Sequence, residues 1–546
     1  MNMLYFSLLL LCIFSVVESV IVSTSLGKLE GVEVGEFRVF KKIPFAKPPL
    51  RKLRFQKPVP PTPWDDILNA KEYGPACMSN SSVTKTIQKV LGEDCLHINI
   101  FTSERCLKSK DCPVVEYIHG GALHYDSAVM FDDTVILDHF VKKDIVFVIP
   151  AFRLGIFSHF VVEDQSVAPN NLGIYDILLA MEFIKTEIRN FGGDSNRITL
   201  LGHSYGGTLA AMLSFSTEVN TDLSLFQQYI SMSAPSNFET LEFQMEKTIR
   251  FAEEANCIPK SSKLLKNQQK ELYMRDCLQK IDAKELLRIQ RKLEDARFPT
   301  YGGSVLRGPI FQEVPERKFM DTPKNVSVLT GCTKYEVLSF DGYDNIGLSL
   351  GFDNPNEVNA KYHKDQRNEE LGFSSKIRDE TQEMFVQTKT RVDKLLQKGV
   401  PAYQYEYSYP KHSGHTDDLF YIMGVHPFEM DENEKKIGET YRAIFTNFIK
   451  TGKPGIGFEM SDLKTSSFFN VYWNVTSGYG PKMRTNFEQK IMDYWTKDMV
   501  HFDHNISELK PGFLLAKCCS RDQSNLYIQI GGNDYTFKEN EECLYC

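Results

Sequence analysis

The sequence predicts an α/β protein with a large, mostly parallel central sheet that is flanked by helices and carries a helical cap. Short apolar runs alternate with helical patterns along most of its 546 residues. The runs are apolar at consecutive positions, which is typical of parallel strands buried on both faces. No Gly-, Ser- or Pro-rich linker divides the chain, so we expect these elements to share one core.

Six predicted strands and one predicted helix support this architecture. The strands are the apolar runs at residues 114–118, 145–149, 198–201, 229–232, 326–330 and 403–407. Between the second and the third strand, apolar residues recur at helical spacing from Ile174 to Phe191 and form one apolar face. The Lys-, Glu- and Leu-rich segment 260–297 predicts solvated helices that cap the sheet, and we assign no chemistry to it.

The excess of acidic over basic residues argues against some classes of binding partner. The formal net charge is −8 and the pI is about 5.9, which argues against nucleic acid or an anionic membrane surface as a partner. No spacing of cysteine and histidine is typical of a zinc site. We therefore expect no metal and no organic cofactor.

The amino-terminal residues predict export. Residues 4–17 form a nearly unbroken apolar run that is too short to cross a bilayer comfortably, and Glu18 and Ser19 follow it. We interpret residues 1–19 as a signal peptide cut after Ser19, with a signal anchor as the alternative because Lys and Arg are absent before the run. The folded domain is then expected at 20–516 and a cysteine-rich tail at 517–546. No other stretch is apolar and long enough to anchor the chain stably in a membrane, so we expect a secreted protein.

Cysteines and glycosylation motifs agree with export. Removal of Cys12 with the leader leaves eleven of the twelve cysteines, an odd number that indicates a free thiol or a bridge to another chain. A homodimer, disulfide-linked or non-covalent, is therefore left open. The four cysteines of the tail more plausibly pair within it, and their C-a-a-X ending is a chance match in an exported chain. Four Asn-x-Ser/Thr motifs predict glycosylation at Asn80, Asn325, Asn474 and Asn505.

A nucleophile motif directly follows the third predicted strand. Residues 202–206 read Gly-His-Ser-Tyr-Gly, and a helical run at 208–215 comes after them. A serine on such a tight strand-to-helix turn projects its hydroxyl above the sheet, and the flanking glycines leave room for the turn. The helix that begins here also points its positive end toward developing negative charge. The pattern predicts Ser204 as the nucleophile of an α/β-hydrolase.

A glycine-rich loop follows the first of these strands. Residues 119–122 read His-Gly-Gly-Ala, which fits the hydrolase loop that offers backbone N–H groups to a tetrahedral oxyanion. We predict Gly121, Ala122 and Tyr205, the residue after the nucleophile, as the three donors. A plain glycine turn after a strand is the alternative.

The acid and the base are less sharply defined by the residues alone. In α/β-hydrolases the acid follows the serine and the histidine comes last, but twelve histidines are available. Glu336 lies just past the predicted strand 326–330, and His415 lies past the strand 403–407. Both positions are at carboxyl ends of strands, where open α/β sheets place their sites. His412 remains a rival to His415 on this reasoning.

Eight further segments resemble the type-B carboxylesterase and cholinesterase family, in family order and over nearly the whole chain. They are 43–49 (IPFAKPP), 53–55 (LRF), 93–96 (EDCL), 153–155 (RLG), 191–194 (FGGD), 331–336 (GCTKYE), 414–419 (GHTDDL) and 451–454 (TGKP). The resemblance implies the α/β-hydrolase fold, ester hydrolysis through an acyl-enzyme, and Glu336 and His415 as partners of Ser204. It also implies the disulfides Cys77–Cys95 and Cys257–Cys277. A further disulfide, Cys106–Cys112, is suggested by sequence spacing alone.

The chain departs from the family pattern beside the nucleophile. His203 and Tyr205 stand where the family usually has the Glu and Ala of GESAGG, Ala122 replaces a third glycine, and Ala-Phe at 151–152 replaces Asn-Tyr. We expect the bulk of Tyr205 to reshape the pocket and His203 to change the local charge. The segment between Cys77 and Cys95 contains no Trp, which argues against a cholinesterase because such an aromatic face binds quaternary ammonium groups.

Two functions therefore remain. The first is a secreted carboxylesterase acting on small-molecule or lipid esters, and the sequence does not separate an esterase from a lipase. The second is a catalytically silent adhesion or binding relative, since a fold does not fix a function. Silent relatives typically lose a triad residue or carry a membrane stalk. The chain keeps Ser204, Glu336 and His415 and has no such stalk, so the sequence favours the enzyme.

Overall fold

The computed structural model describes residues 19–79, 90–235, 238–259, 266–296, 301–303, 305–337, 346–366, 368–371, 373–374, 377, 379–509, 527–530 and 533–536. Its strands are β1 Ser19–Thr24, β2 Gly27–Val34, β3 Phe37–Pro44, β4 Leu68–Asn69, β5 Ala76–Cys77, β6 Leu91–Gly92, β7 His97–Ser103, β8 Cys112–Ile118, β9 Val146–Pro150, β10 Gly193–His203, β11 Gln228–Met232, β12 Ser327–Thr333, β13 Ala402–Tyr407, β14 Phe468–Val471, β15 Lys482–Arg484, β16 Tyr527–Ile530 and β17 Asn533–Thr536.

Helices connect most of these strands. They are α1 Glu104–Ser109, α2 Asp133–His139, α3 Leu172–Glu187, α4 Tyr205–Phe215, α5 Leu241–Glu254, α6 Asn267–Leu278, α7 Ala283–Asp295, α8 Glu316–Phe319, α9 Ile346–Ser349, α10 Pro355–Asp365, α11 Glu380–Gln397, α12 Phe420–Met423, α13 Glu432–Thr451, α14 Gln489–Asp493 and α15 Met499–Leu509. Short 3-10 turns join some of them, and residues 494–498 form a π-helical turn that links α14 to α15.

One large sheet of 13 strands organises the fold. Its order is β1-β2-β3-β7-β9-β8-β10-β11-β12-β13-β14-β15, with β4 paired to β2. The strands from β9 through β8 to β14 run parallel, whereas β1, β2, β3, β7 and β15 pair antiparallel with their neighbours at the two ends. The prediction of a mostly parallel sheet flanked by helices is confirmed, and all six predicted strands are present with shifts of a few residues at their ends.

The middle of this sheet brings the functional segments together. Strand β10 lies between β8 and β11, so Gly202 is in register with Ile118 on one side and with Ser231 on the other. Strand β12 runs alongside β11, with Met232 in register with Gly331. Because these strands are parallel, the loops that follow them leave the sheet at the same edge. Every residue of β8 and β9 is buried, which explains why their sequences are apolar at consecutive positions.

The cap helices are less solvated than the sequence predicted. Helices α6 and α7 bury one apolar side each, through Met274 and Leu278 on the first and Leu286 and Ile289 on the second. These side chains pack in a second apolar cluster that also contains Phe160. Charged residues also lie on the inner side of these helices, since Glu271 on α6 is buried and the Glu294 side chain on α7 is only 7% exposed, and α7 contacts the site described below.

The structure forms three disulfides: Cys77–Cys95, Cys106–Cys112 and Cys257–Cys277. They are the two pairs implied by the resemblance and the pair suggested by spacing. Within the described residues, the one cysteine outside a disulfide is Cys332, which is fully buried in β12. The buried thiol of Cys332 agrees with the free thiol that the odd cysteine count indicated, and a homodimer stays a prediction.

Several predicted features lie outside the described residues: the leader up to residue 18, the motif residue Asn80, and the four tail cysteines. The first strand begins at Ser19, the residue before the predicted cut. Among the helices of the described part of the chain, none is long and apolar enough to cross a membrane.

Candidate active site

The turn between β10 and α4 presents Ser204. The serine is the residue before the helix and adopts φ 56° and ψ −130°, a strained backbone conformation for a residue with a side chain. Its N–H donates to the carbonyl of Met232 at 2.9 Å, which ties the turn to the end of β11. The two glycines of the motif are required here, because a Cβ on Gly206 would collide with the Ile118 carbonyl and one on Gly202 with the backbone of Gly206.

His415 lies beside this serine. The ring nitrogen Nε2 of His415 is 2.9 Å from Ser204 Oγ, although the two residues are 211 positions apart in the chain. The imidazole keeps 23% of its surface exposed, so a substrate can reach this pair of groups. The loop that carries His415 follows β13, as the sequence predicted.

Glu336 completes a hydrogen-bonded series. Its Oε2 accepts a hydrogen bond from His415 Nδ1 at 2.7 Å, and the carboxylate is fully buried. The other oxygen, Oε1, accepts from the hydroxyl of Ser233 at 2.6 Å and from the backbone N–H of Thr333 at 2.7 Å. Three donors therefore compensate the burial of this carboxylate and fix its orientation.

Ser233 and Thr333 were not identified from the sequence. Both stand at the carboxyl ends of parallel strands, since Ser233 directly follows β11 and Thr333 ends β12. Strand-end position was therefore the signal that could have found them. Serine and threonine are so common that position alone does not distinguish them from ordinary loop residues.

The backbone N–H and the backbone carbonyl of His415 are hydrogen-bonded as well as its ring. Its N–H donates to the carbonyl of Glu336 at 2.7 Å, and its carbonyl lies 2.7 Å from Nε2 of His203. A carbonyl can only accept, so His203 is the donor. Burial and the neighbouring His415 lower the pKa of His203 to about 3, which keeps its ring neutral at physiological pH.

His412, the other candidate for the base, forms its contacts with residues other than Ser204. His412 stacks on Phe428 with ring centroids 4.0 Å apart, and its Nδ1 lies 2.6 Å from Oε1 of the buried Glu434. Glu434 belongs to the capping box that begins α13. The structure thus brings His415, and not His412, to Ser204.

The predicted oxyanion loop lies against the nucleophile turn. A Cβ on Gly120 would lie 3.2 Å from the Cβ of Ser204, a tight contact, so the glycine eases the close approach of the loop. Gly121 adopts φ 87°, and a side chain there would collide with the Tyr125 carbonyl. Across the described residues, the backbone N–H groups of Gly121 and Ala122 have no hydrogen-bond partner, as a site for an oxyanion requires. Tyr205, the third predicted donor, begins α4 and is buried.

The loop is strained and is held from outside. Ala122 and Leu123 both adopt φ 52°, a left-handed conformation that costs about 1–3 kcal/mol for each residue with a side chain. The N–H of Gly303 donates to the Ala122 carbonyl at 2.5 Å, and the N–H of Gly155 donates to the Leu123 carbonyl at 2.9 Å. These two bonds come from separate segments and fix the loop on both sides.

The cap helix α7 also reaches this loop. Nε2 of His124 lies 2.8 Å from Oε1 of Glu294, and both side chains are almost completely buried. Oε1 also accepts from the side chain of Gln290 at 3.0 Å and from the Tyr301 N–H at 3.2 Å. The cap therefore supports the oxyanion loop, a role that its charged composition did not indicate.

No group of three or more His, Cys, Asp or Glu side chains with metal-binding geometry is found in the part of the chain that the structure describes.

The fold and its strand-to-helix serine turn place the chain among the α/β-hydrolases. The model of the Carboxylesterase family matches residues 18–394 and 353–502, so the match spans most of the sequence. The chain belongs to the carboxylesterase family, a family of carboxylic ester hydrolases.

Individual relatives agree with this assignment. The gut esterase 1 of Caenorhabditis elegans is 37% identical over 216 residues, and the matched part spans 37% of that protein and 40% of this chain. A carboxylic ester hydrolase of Bombus ignitus is 26% identical over 89% of this chain and 94% of its own length. The juvenile hormone esterase structure of Manduca sexta superposes with a TM-score of 0.72 at 19% identity, covering 89% of this chain and 100% of that one. At this identity the structural likeness supports the fold alone.

Proposed function

We propose that the chain is a secreted carboxylic-ester hydrolase that acts through an acyl-enzyme on Ser204. The observation that carries this proposal is the hydrogen-bonded series from Ser204 through His415 to Glu336 on a strained nucleophile turn. A serine hydroxyl becomes a useful nucleophile only when a base takes its proton, and the base needs a group that orients it. The nucleophile, the base and the orienting group lie within hydrogen-bond distance of one another in this series.

In the acylation step, Ser204 Oγ attacks the carbonyl carbon of the ester while its proton passes to His415 Nε2. The carbonyl oxygen becomes an oxyanion that the N–H groups of Gly121, Ala122 and Tyr205 stabilise. The buried carboxylate of Glu336 orients the imidazole and stabilises its positive charge. Collapse of the tetrahedral intermediate breaks the ester C–O bond, and the alcohol leaves with the proton from His415.

Deacylation repeats this chemistry with water. His415 takes a proton from the water as its oxygen attacks the acyl carbon, and the same backbone donors stabilise the second oxyanion. The bond to Oγ then breaks, Ser204 regains its proton from His415, and the carboxylic acid leaves. The substrate class that fits this cycle is a small-molecule or lipid ester.

A catalytically silent binding protein is the second candidate. It was kept because a fold does not fix a function, and His203 and Tyr205 are the departures from the family pattern that would disable the site if this candidate were correct. Against it stand the 2.9 Å contact between Ser204 and His415 and the two free N–H groups of the oxyanion loop. A protein selected only for binding has no need to maintain a strained loop and a strained serine.

The partition of the acyl group between water and methanol tests whether an acyl-enzyme forms. Acetate esters with three different leaving alcohols are hydrolysed in the presence of a fixed concentration of methanol, and methyl acetate and acetate are quantified. A common acyl-enzyme predicts the same ratio of methyl acetate to acetate from all three esters, because water and methanol then compete for one intermediate. A ratio that changes with the leaving alcohol would contradict the proposal, and absence of turnover by folded protein would favour the silent alternative.

Replacement of Glu336 by glutamine is expected to lower kcat by about 10³–10⁴-fold with a small change in KM. The amide keeps the shape of the side chain but does not carry the negative charge that stabilises the imidazolium. The matched control is Glu434→Gln, which changes a second buried glutamate that binds a histidine. Steady-state kinetics and thermal melting of both variants check the result; equal losses of kcat in the two variants would contradict the assigned role.

Export and glycosylation form part of the same proposal. The three disulfides suit an oxidising compartment. Asn325 and Asn505 are exposed, and Asn474 is half-buried in a turn. Expression in a secretory cell line should place the protein in the medium, and peptide N-glycosidase should increase its gel mobility. Retention of unglycosylated protein in the cytosol would contradict export.

The preferred acyl chain length of the ester substrate distinguishes an esterase from a lipase. A series of p-nitrophenyl esters from acetate to palmitate, with and without an emulsified interface, separates the two activities. A maximum at short acyl chains without interfacial activation supports an esterase, and a maximum at long chains with activation supports a lipase.

A further inference from the structure

The residue before the nucleophile binds the backbone of the catalytic base. His203 and Ser204 are adjacent in the chain, at the junction of β10 and the turn. Nε2 of His203 donates to the carbonyl of His415 at 2.7 Å across a separation of 212 residues. The two imidazole rings lie with their centroids 4.9 Å apart. Two consecutive residues therefore supply the nucleophile and a hydrogen bond to the backbone of its base.

This contact completes a four-point support of His415. The ring contacts Glu336 through Nδ1 at 2.7 Å and Ser204 through Nε2 at 2.9 Å. The backbone N–H donates to the Glu336 carbonyl at 2.7 Å, and the backbone carbonyl accepts from His203. Among these four bonds, the bond from His203 is the one that links the backbone of the base to the nucleophile segment.

We propose that His203 is a positioning residue that sets the distance between His415 and Ser204 by holding the His415 carbonyl. This inference rests on the proposed function, because it assigns a role in the chemistry of Ser204. It gives a role to a side chain that departs from the family pattern: His203 donates to the carbonyl, whereas an ionised glutamate at the same place would offer only acceptors.

The environment of His203 suits a neutral donor. The side chain is 2% exposed, and a Cβ on Gly120 would lie 3.5 Å from its Nδ1, so the ring is enclosed on that side too. Burial, with the nearby His415 and His426, lowers the pKa of His203 to about 3, so the ring carries no charge that would oppose the imidazolium formed on His415 during catalysis. A neutral imidazole has one N–H, and the carbonyl contact places it on Nε2.

The test compares two substitutions of nearly equal length, His203→Gln and His203→Met. The glutamine amide nitrogen can occupy the place of Nε2 and donate to the carbonyl, whereas the methionine thioether cannot donate. We expect His203→Gln to keep kcat within about threefold of the wild type and His203→Met to lower it by about 10–100-fold, because misplacement of a catalytic group by a fraction of an ångström already costs rate. KM should change little in either variant, since neither change removes a substrate contact.

Each sample is titrated with a fluorophosphonate to count reactive sites, and kcat is calculated per reactive site. This correction removes the effect of misfolded protein, and thermal melting reports the stability of each variant separately. Equal kcat values for the two variants, or a change confined to KM, would overturn the positioning role. Failure of the wild type itself to react with the fluorophosphonate would instead overturn the proposed function, so the two failures are distinguishable.

Discussion

Ser204→Ala is expected to lower kcat for ester hydrolysis by about 10⁴-fold or more, the largest effect that we expect of any single substitution in this chain. Alanine has no hydroxyl, so no acyl-enzyme can form. The remaining activity would come from the oxyanion donors and substrate binding, which act without the nucleophile. The measurement is the steady-state rate with p-nitrophenyl acetate, on protein whose thermal melt matches the wild type.

The control for this substitution is Ser214→Ala in the helix that Ser204 precedes. Ser214 is fully buried in α4 and donates to the Ala211 carbonyl at 2.7 Å, so the change removes another serine hydroxyl of the same segment, one that bonds to its own helix instead of to His415. The control should retain kcat within about threefold, because only an ordinary hydrogen bond of about 1 kcal/mol is lost. Retention of more than about a tenth of the wild-type kcat by Ser204→Ala would exclude this serine as the nucleophile, since a nucleophile contributes several orders of magnitude.

His415→Ala is expected to lower kcat by about 10⁴-fold or more as well, since a serine without its base is a poor nucleophile. The leaving alcohol would also lose its proton donor. Oxyanion stabilisation should persist, because the backbone donors do not depend on the imidazole. The same p-nitrophenyl ester assay measures the loss.

His412→Ala is a closely matched control. Both histidines present Nδ1 to a buried glutamate, at 2.7 Å for His415 and at 2.6 Å for His412, and they lie three residues apart. His412→Ala should reduce stability through its lost stacking on Phe428 but leave kcat per folded molecule within about threefold, because its ring does not approach Ser204. A larger loss of kcat in His412→Ala than in His415→Ala would reverse the assignment of the base.

The parts of the fold that were predictable from sequence share one physical property. Strands such as β8 and β9 are buried on both faces, so nearly all of their residues are apolar, with Glu116 in β8 as the exception, and the strands are recognisable without partners. The nucleophile turn was also predictable, because its Gly-x-Ser-x-Gly motif is a local pattern, although Gly206 is required by the Ile118 carbonyl of the neighbouring strand β8. The antiparallel strands β1 to β3 were not predicted. Their residues mix buried, half-buried and exposed positions without a regular period, so the pattern of so short a segment is ambiguous.

The candidate site was predictable only in part. The order of the triad residues along the chain did not distinguish His412 from His415 as the base. The resemblance to a family favoured His415. The physical reason for the difference lies in α13, whose buried Glu434 engages His412. That contact joins residues from separate elements and has no local signature. The roles of Ser233 and His203 depend in the same way on which strands become neighbours.

The departures from the family pattern were located in the sequence, but their contacts were not predicted. His203 was expected to change the local charge, and its buried ring is neutral, as the lowered pKa requires. Its hydrogen bond to the His415 carbonyl was not foreseen, because a sequence does not show which backbone group a side chain will meet. Ala122 was noted as a replacement for glycine, but the three segments that hold its strained loop became visible only in the fold.

The most direct test of the account is covalent labelling of the purified protein with a fluorophosphonate, followed by mass spectrometry of its peptides. Attack by an activated serine forms a bond between Oγ and phosphorus and expels fluoride. The account predicts labelling at Ser204 in the wild type and no labelling in Ser204→Ala. Labelling at another residue, or a folded wild-type protein that does not react, would contradict the claim that Ser204, His415 and Glu336 form a working catalytic site.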